Sequence, residues 1–125
     1  MARKKSSGLT DAELRLMQAL WNNGAATVAQ VVGWVSRETP LAYSTILTTL
    51  RILENKGYVR HRKQGRAFVY EAVVGREQAR ENAVSHLLRR FFEGSPEQLV
   101  LNLIEAGKVD PVELARLRKR IEEES

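Results

Sequence analysis

Cysteine is absent from this chain of 125 residues, which excludes disulfides and thiolate metal sites. Histidine is nearly so. His61 and His86 stand apart in the sequence, without the neighbouring groups that acid–base or metal chemistry needs. An enzyme is therefore a poor reading, and no metal or cofactor is implied. No apolar run approaches the roughly 20 residues that cross a bilayer as a helix. The start Met1-Ala-Arg-Lys-Lys-Ser-Ser-Gly8 lacks the apolar core of a signal peptide. The expectation is a cytoplasmic protein with no membrane insertion, in which residues 1–8 form a disordered basic arm.

Charge is present and unevenly placed. The formal net charge is +5 and the pI about 9.9. Residues 1–75 hold 11 Lys/Arg against 5 Asp/Glu, whereas residues 76–125 hold 9 against 10. The cationic field thus belongs to the amino-terminal part, as expected if that part meets a polyanion and the other meets protein. The length allows one compact domain and a smaller helical appendage.

Order is expected from Leu9. Thr10 and Glu13 have the spacing of a capping box, and Leu9 with Leu14 that of a hydrophobic staple. The helix they start runs to about Asn22, with Leu14, Met17, Leu20 and Trp21 inward, and stops at Asn23-Gly24. Ala25 to Thr27 is a candidate short strand. Thr27 and Gln30 repeat the capping-box spacing and open a second helix with Val28, Val31, Val32 and Val35 as its apolar stripe. Trp21 and Trp34 read as core. Pro40 disfavours helix at Thr39 and predicts a break there. A third helix follows over Ala42 to Lys56 and ends at Gly57, a residue suited to the position after a helix C-cap.

The third helix is the informative one. At 100° per residue Ile46, Thr49, Leu50 and Leu53 share one side, while Ser44, Thr48, Arg51 and Asn55 share the other. That second face has hydroxyls, an amide and one guanidinium, and no acid. Such groups can read base edges, Arg on guanine and Asn on adenine. Beyond it, the runs Tyr58 to Lys63 and Ala67 to Ala72 flank Gln64-Gly65-Arg66 and read as a hairpin. Lys56, Arg60, Arg62, Lys63 and Arg66 lie along the approach and hairpin with no acid between them. Helix, turn, helix and basic hairpin together make residues 9–74 a winged helix-turn-helix domain for double-stranded DNA. His61, inside the basic hairpin, is expected to face phosphate, and His86 solvent or a helix seam.

From Arg76 the pattern changes. A helix over Arg76 to Glu93 has Ala79, Ala83, Val84, Leu87, Leu88, Phe91 and Phe92 as a wide apolar stripe. Ser95-Pro96 and Asp110-Pro111 start two more, with Leu99, Val100, Leu101, Leu103 and Ile104 on the first and Leu114, Leu117 and Ile121 on the second. About fifty residues in three short helices cannot bury that much apolar surface alone. Residues 75–125 are expected to be a three-helix dimerisation domain in which an identical copy supplies the other half. Leu87, Leu88, Phe91, Phe92, Leu99, Leu101, Leu103, Ile104, Leu114, Leu117 and Ile121 are the candidate interface. The fold class is mainly α with a small β-hairpin wing.

The stretches Leu9-Thr-Asp-Ala-Glu-Leu14, Ala42-Tyr-Ser-Thr-Ile-Leu-Thr-Thr-Leu-Arg-Ile-Leu-Glu-Asn-Lys-Gly57, Arg66-Ala-Phe-Val-Tyr70 and Phe91-Phe-Glu-Gly-Ser-Pro96 together resemble the BlaI/MecI penicillinase-repressor family from Leu9 to the end of the chain. The resemblance implies a homodimeric repressor of a palindromic operator with TACA/TGTA half-sites, each subunit laying one helix in the major groove. It places Ser44, Thr45, Thr48 and Arg51 on that helix and Arg60 to Arg66 on the wing. With Tyr43 and Asn55, they complete the candidate DNA-reading set. Ile52 stands where some relatives have Arg, so a phosphate contact of theirs is missing at this position. The copper-responsive branch adds a Cys-rich tail, which a chain without cysteine does not have. In the antibiotic-responsive branch a membrane sensor-protease triggers cleavage of an Asn-Phe bond in a Leu-Val-Leu-Asn-Phe context. The matching segment is Leu99-Val-Leu-Asn-Leu103, so Asn102-Leu103 is the candidate bond, with Leu in place of the aromatic residue. The competing reading of that segment is helix core alike in shape only. A ligand-sensing winged-helix regulator, with an effector pocket between wing and dimer domain, is the alternative function.

Overall fold

The computed structural model describes residues 8–36 and 41–124. Residues 1–7 of the expected basic arm and the break at Pro40 therefore fall outside the described residues. The chain divides into two compact units, 1–84 and 85–125.

The first unit begins with helix α1 (Asp11–Asn23), strand β1 (Ala26–Thr27), helix α2 (Val28–Val35) and helix α3 (Tyr43–Asn55). Both expected capping boxes form. Thr10 Oγ1 accepts from the Glu13 amide while Glu13 accepts from the Thr10 amide, and Thr27 with Gln30 does the same. Each satisfies two amides that a helix start leaves unpaired. Along α1 the buried positions are Leu16, Met17, Ala19 and Leu20. Leu14, expected inward, is only half-buried, because the strongly apolar side of the helix is rotated toward Leu16. Trp21 and Trp34 flank the core as expected, and the Trp21 indole donates to the Val74 carbonyl at 3.0 Å.

Helix α3 ends in a Schellman arrangement: the Tyr58 amide donates to Leu53 O at 2.9 Å and the Gly57 amide to Glu54 O at 3.0 Å. This requires a left-handed residue, and Gly57 supplies it at φ +86°. The accompanying apolar contact positions, Tyr58 and Leu53, are fully buried. The chain leaves this cap directly into strand β2 (Val59–Gln64), which pairs antiparallel with β3 (Ala67–Ala72) through a two-residue turn. Gly65 at φ +63° takes the first turn position, where a II′-type hairpin needs positive φ. β1 adds to the other edge of β3, giving the order β1-β3-β2. Leu16, Met17, Leu20, Val31, Ile46, Leu50, Leu53 and Tyr58 form the centre of the core. Helix α4 (Arg76–Phe91) starts here too, since Ala79 is buried in this core and Arg76 donates to Asn22 at 2.7 Å.

Helix α4 continues into the second unit and is followed by α5 (Pro96–Glu105) and α6 (Pro111–Glu124). It stops two residues before the expected Glu93, because Glu93 and Gly94 adopt left-handed φ of +49° and +81°. Ser95 Oγ and Asp110 Oδ1 accept from the amides of Gln98 and Glu113, capping the last two helices as the Ser-Pro and Asp-Pro pairs predict. No described residue of α5 or α6 is buried. Leu88, Phe92, Leu99, Leu103, Ile104 and Leu114 are half-buried, and Leu87, Phe91, Leu101, Leu117 and Ile121 are exposed.

Candidate nucleic-acid interface

Ile46, Leu50 and Leu53 seat α3 in the core, and their spacing turns the opposite face outward. Tyr43, Ser44, Thr45, Thr48, Arg51 and Asn55 are all exposed. The face is free of acid in its first turn, and Ala42 at the N-cap leaves the first amides without a side-chain cap among the described residues. Amides at a helix start favour an anion. The side that the sequence period sets opposite the core is thus exposed along the helix. Ile52 is also exposed, beside this face.

The register of the hairpin sorts the wing. Arg60 pairs across from Glu71, Arg62 from Val69, His61 from Tyr70 and Lys63 from Phe68. Directly paired side chains share a sheet face, so Arg60 and Arg62 lie on one face and His61 and Lys63 on the other. Arg60 Nε is 2.8 Å from Glu71 Oε1. Arg62 donates to Gln64 Oε1 at 3.1 Å. Lys63 and Arg66 are exposed and form no ion pair among the described residues.

Two sequence expectations need correction. Lys56 does not belong to the basic wing: its ammonium lies 2.7 Å from Glu13 Oε1 and donates to Gly8 O at 3.3 Å. Burial would raise the Glu13 pKa, but the Lys56 hydrogen bond and the Thr10 amide outweigh it and hold the carboxyl below its ordinary value. His61 does not stand alone facing phosphate: its Nδ1 lies 2.8 Å from both oxygens of Glu54. Glu13 lies 43 residues from Lys56 on α1, and Glu54 lies on α3 rather than in the hairpin, so a count of charges along the hairpin could not find them.

Between α3 and the hairpin lies a cleft of about 690 Å³, lined in part by Tyr43, Leu47, Arg51, Glu54, His61, Arg66, Phe68 and Tyr70. It brings together a helix cation, Arg51, and a wing cation, Arg66. Tyr70 forms its wall. Burial pushes the Tyr70 phenol up, the Glu54 carboxylate adds to this, and the Arg51 guanidinium, hydrogen-bonded to it, opposes. Phe68 and Tyr70 were legible only as strand residues in the sequence; the cross-strand register is what aims them at α3.

A sequence profile of the penicillinase repressor family matches residues 9–123. The chain belongs to this family. The penicillinase repressor of Bacillus licheniformis is 31% identical over 120 residues, covering 96% of this chain and 94% of that protein. The methicillin resistance regulatory protein MecI of Staphylococcus aureus is 22% identical over 114 residues, covering 91% of this chain and 93% of its own length. Among solved structures, the DNA-binding domain of the repressor BlaI matches at TM-score 0.55 and 32% identity, over 61% of this chain and 93% of that one. The monomeric form of the Bacillus licheniformis BlaI in complex with the blaP half-operator matches at TM-score 0.51, with the same identity and shares. The fold is that of winged-helix repressors. No described helix is long and apolar enough to cross a membrane.

Proposed function

We propose that the protein is a transcriptional repressor that binds a palindromic operator as a homodimer. The observation that carries this reading is α3, an acid-free polar face backed by a buried one, beside a hairpin whose Lys63 and Arg66 form no ion pair among the described residues. A helix of that width fits the B-DNA major groove. Arg51, Thr48, Ser44 and Asn55 then meet base edges, Tyr43 and Thr45 border them, and Arg60, Arg62, Lys63 and Arg66 meet phosphates. The half-operator complex of the related repressor supports one winged unit per half-site.

Dimerisation falls to the three helices of residues 75–125. Phe91, Leu101, Leu117 and Ile121 are 66%, 42%, 47% and 66% exposed, a density of exposed apolar groups that marks an association surface. A C2 pair joins the same patch on both subunits and spaces two recognition helices for a palindrome. Repression is lifted, in this reading, when a sensor-protease leads to a cut at Asn102-Leu103 within α5. Asn102 is exposed and Leu103 half-buried, and the helix must open before the bond can enter a protease. The site of action is the cytoplasm. A gel shift with a TACA/TGTA palindrome, excess competitor DNA and parallel sedimentation tests the proposal. A dimer that shifts the palindrome and resists competitor is expected; equal displacement by random DNA would overturn it.

A further inference from the structure

Beyond Val59, every residue of β2 is exposed, so apolar burial does little to hold this half of the wing against α3. Glu54 supplies a polar link instead. Both of its carboxylate oxygens lie 2.8 Å from His61 Nδ1, and Oε2 also accepts the His61 backbone amide at 3.3 Å. The imidazole is held from the strand side as well, edge-on to Phe68 at 5.2 Å and tilted on Tyr70 at 5.3 Å between ring centroids. A carboxylate accepts and cannot donate, so Nδ1 bears the proton.

We propose that Glu54 and His61 form a clasp that fixes the wing to the recognition helix, acting as positioning residues for operator binding. The inference rests on the repressor reading and adds two residues that touch each other rather than DNA. Glu54 lies on the wing side of α3, next to the Arg51 that lines the same cleft as Arg66. With the clasp closed, the spacing between base-reading and phosphate-binding groups is set before DNA arrives, which removes an ordering cost from binding. The clasp also occupies an acid that would otherwise face the approaching phosphates with nothing bound to it.

The test measures operator affinity of the full chain for Glu54→Ala, Glu54→Gln, His61→Phe, His61→Asn and the Glu54→Ala/His61→Phe double variant. Glu54→Ala and His61→Phe should each weaken operator binding by roughly tenfold, the scale of one lost charge-assisted hydrogen bond. The double variant should be no weaker than either single one, because both remove one link. Glu54→Gln keeps an acceptor, and His61→Asn keeps an N–H donor near the Nδ1 position. Both should recover most of the affinity, which a loss of bulk packing would not allow. Imidazole nitrogen NMR should show a proton on His61 Nδ1 in the wild type and a shifted signal in Glu54→Ala. Glu54→Ala binding as tightly as wild type or tighter, or losses that add in the double variant, would overturn the clasp. Wild-type protein that does not prefer operator would overturn the repressor reading itself, and is read before any variant.

Discussion

Neutralising single wing cations separates the free ones from the paired ones. Each phosphate contact released flattens the plot of log K against log salt by about 0.9 on B-DNA. Lys63 and Arg66 have no ion-pair partner among the described residues, so Lys63→Ala and Arg66→Ala should each remove a full contact. Between 50 and 200 mM salt, a slope difference of about 0.9 means that wild type loses roughly 3.5-fold more affinity than the variant. Arg60 differs because Glu71 sits 2.8 Å from its Nε. That pair is exposed and therefore weak, but its acid offsets part of the charge that phosphate sees. Arg60→Ala should flatten the slope by less than Lys63→Ala, and Glu71→Gln should steepen it. Fluorescence anisotropy on operator and random duplexes at several salt concentrations reads all four slopes. Unchanged slopes for both Lys63→Ala and Arg66→Ala, or a larger effect from Arg60→Ala, would refute the assignment of free and paired cations.

Glu13→Gln keeps the capping box, which accepts Gln, but loses the ion pair to Lys56; it should lower stability near neutral pH by about 1–2 kcal/mol. Because the folded Glu13 pKa lies below its unfolded value, the pair stabilises above the ordinary carboxylate range and fades as pH falls through the folded value. Thermal melts should therefore show wild type and variant converging in acid; a gap independent of pH would exclude the charge as the cause. A fragment ending at Val84 should remain folded yet sediment as a monomer and bind a palindrome far more weakly, since its half-sites are no longer tethered. A stable dimer from that fragment would move the interface into the winged unit. Cleavage at Asn102-Leu103 in cells with a cognate sensor-protease and inducer should accompany derepression, as mapped by mass spectrometry; induction with only intact repressor present would eliminate it.

The elements that local chemistry specifies were legible in the sequence. Thr10 with Glu13 and Thr27 with Gln30 carry their own helix starts, Gly57 its stop, and the period of Ile46, Leu50 and Leu53 the buried side of α3. The acid-free face opposite them followed from the same period. What depends on tertiary approach was not legible. Lys56 looked like a wing cation because Glu13 is 43 residues away, and His61 looked isolated because Glu54 meets it only when the hairpin folds back on α3. The end of α4 was misjudged for a local reason: nothing in the residue type of Glu93 announces its left-handed backbone.

On the repressor reading, the exposed face of α3 reads base edges. Its most direct test compares Arg51→Ala and Thr48→Ala on operator and on random DNA at one salt concentration. Arg51→Ala should cost on the order of 1–3 kcal/mol on the operator and much less on random sequence, because base contacts specify while phosphate contacts do not. Equal losses on both DNAs would contradict it.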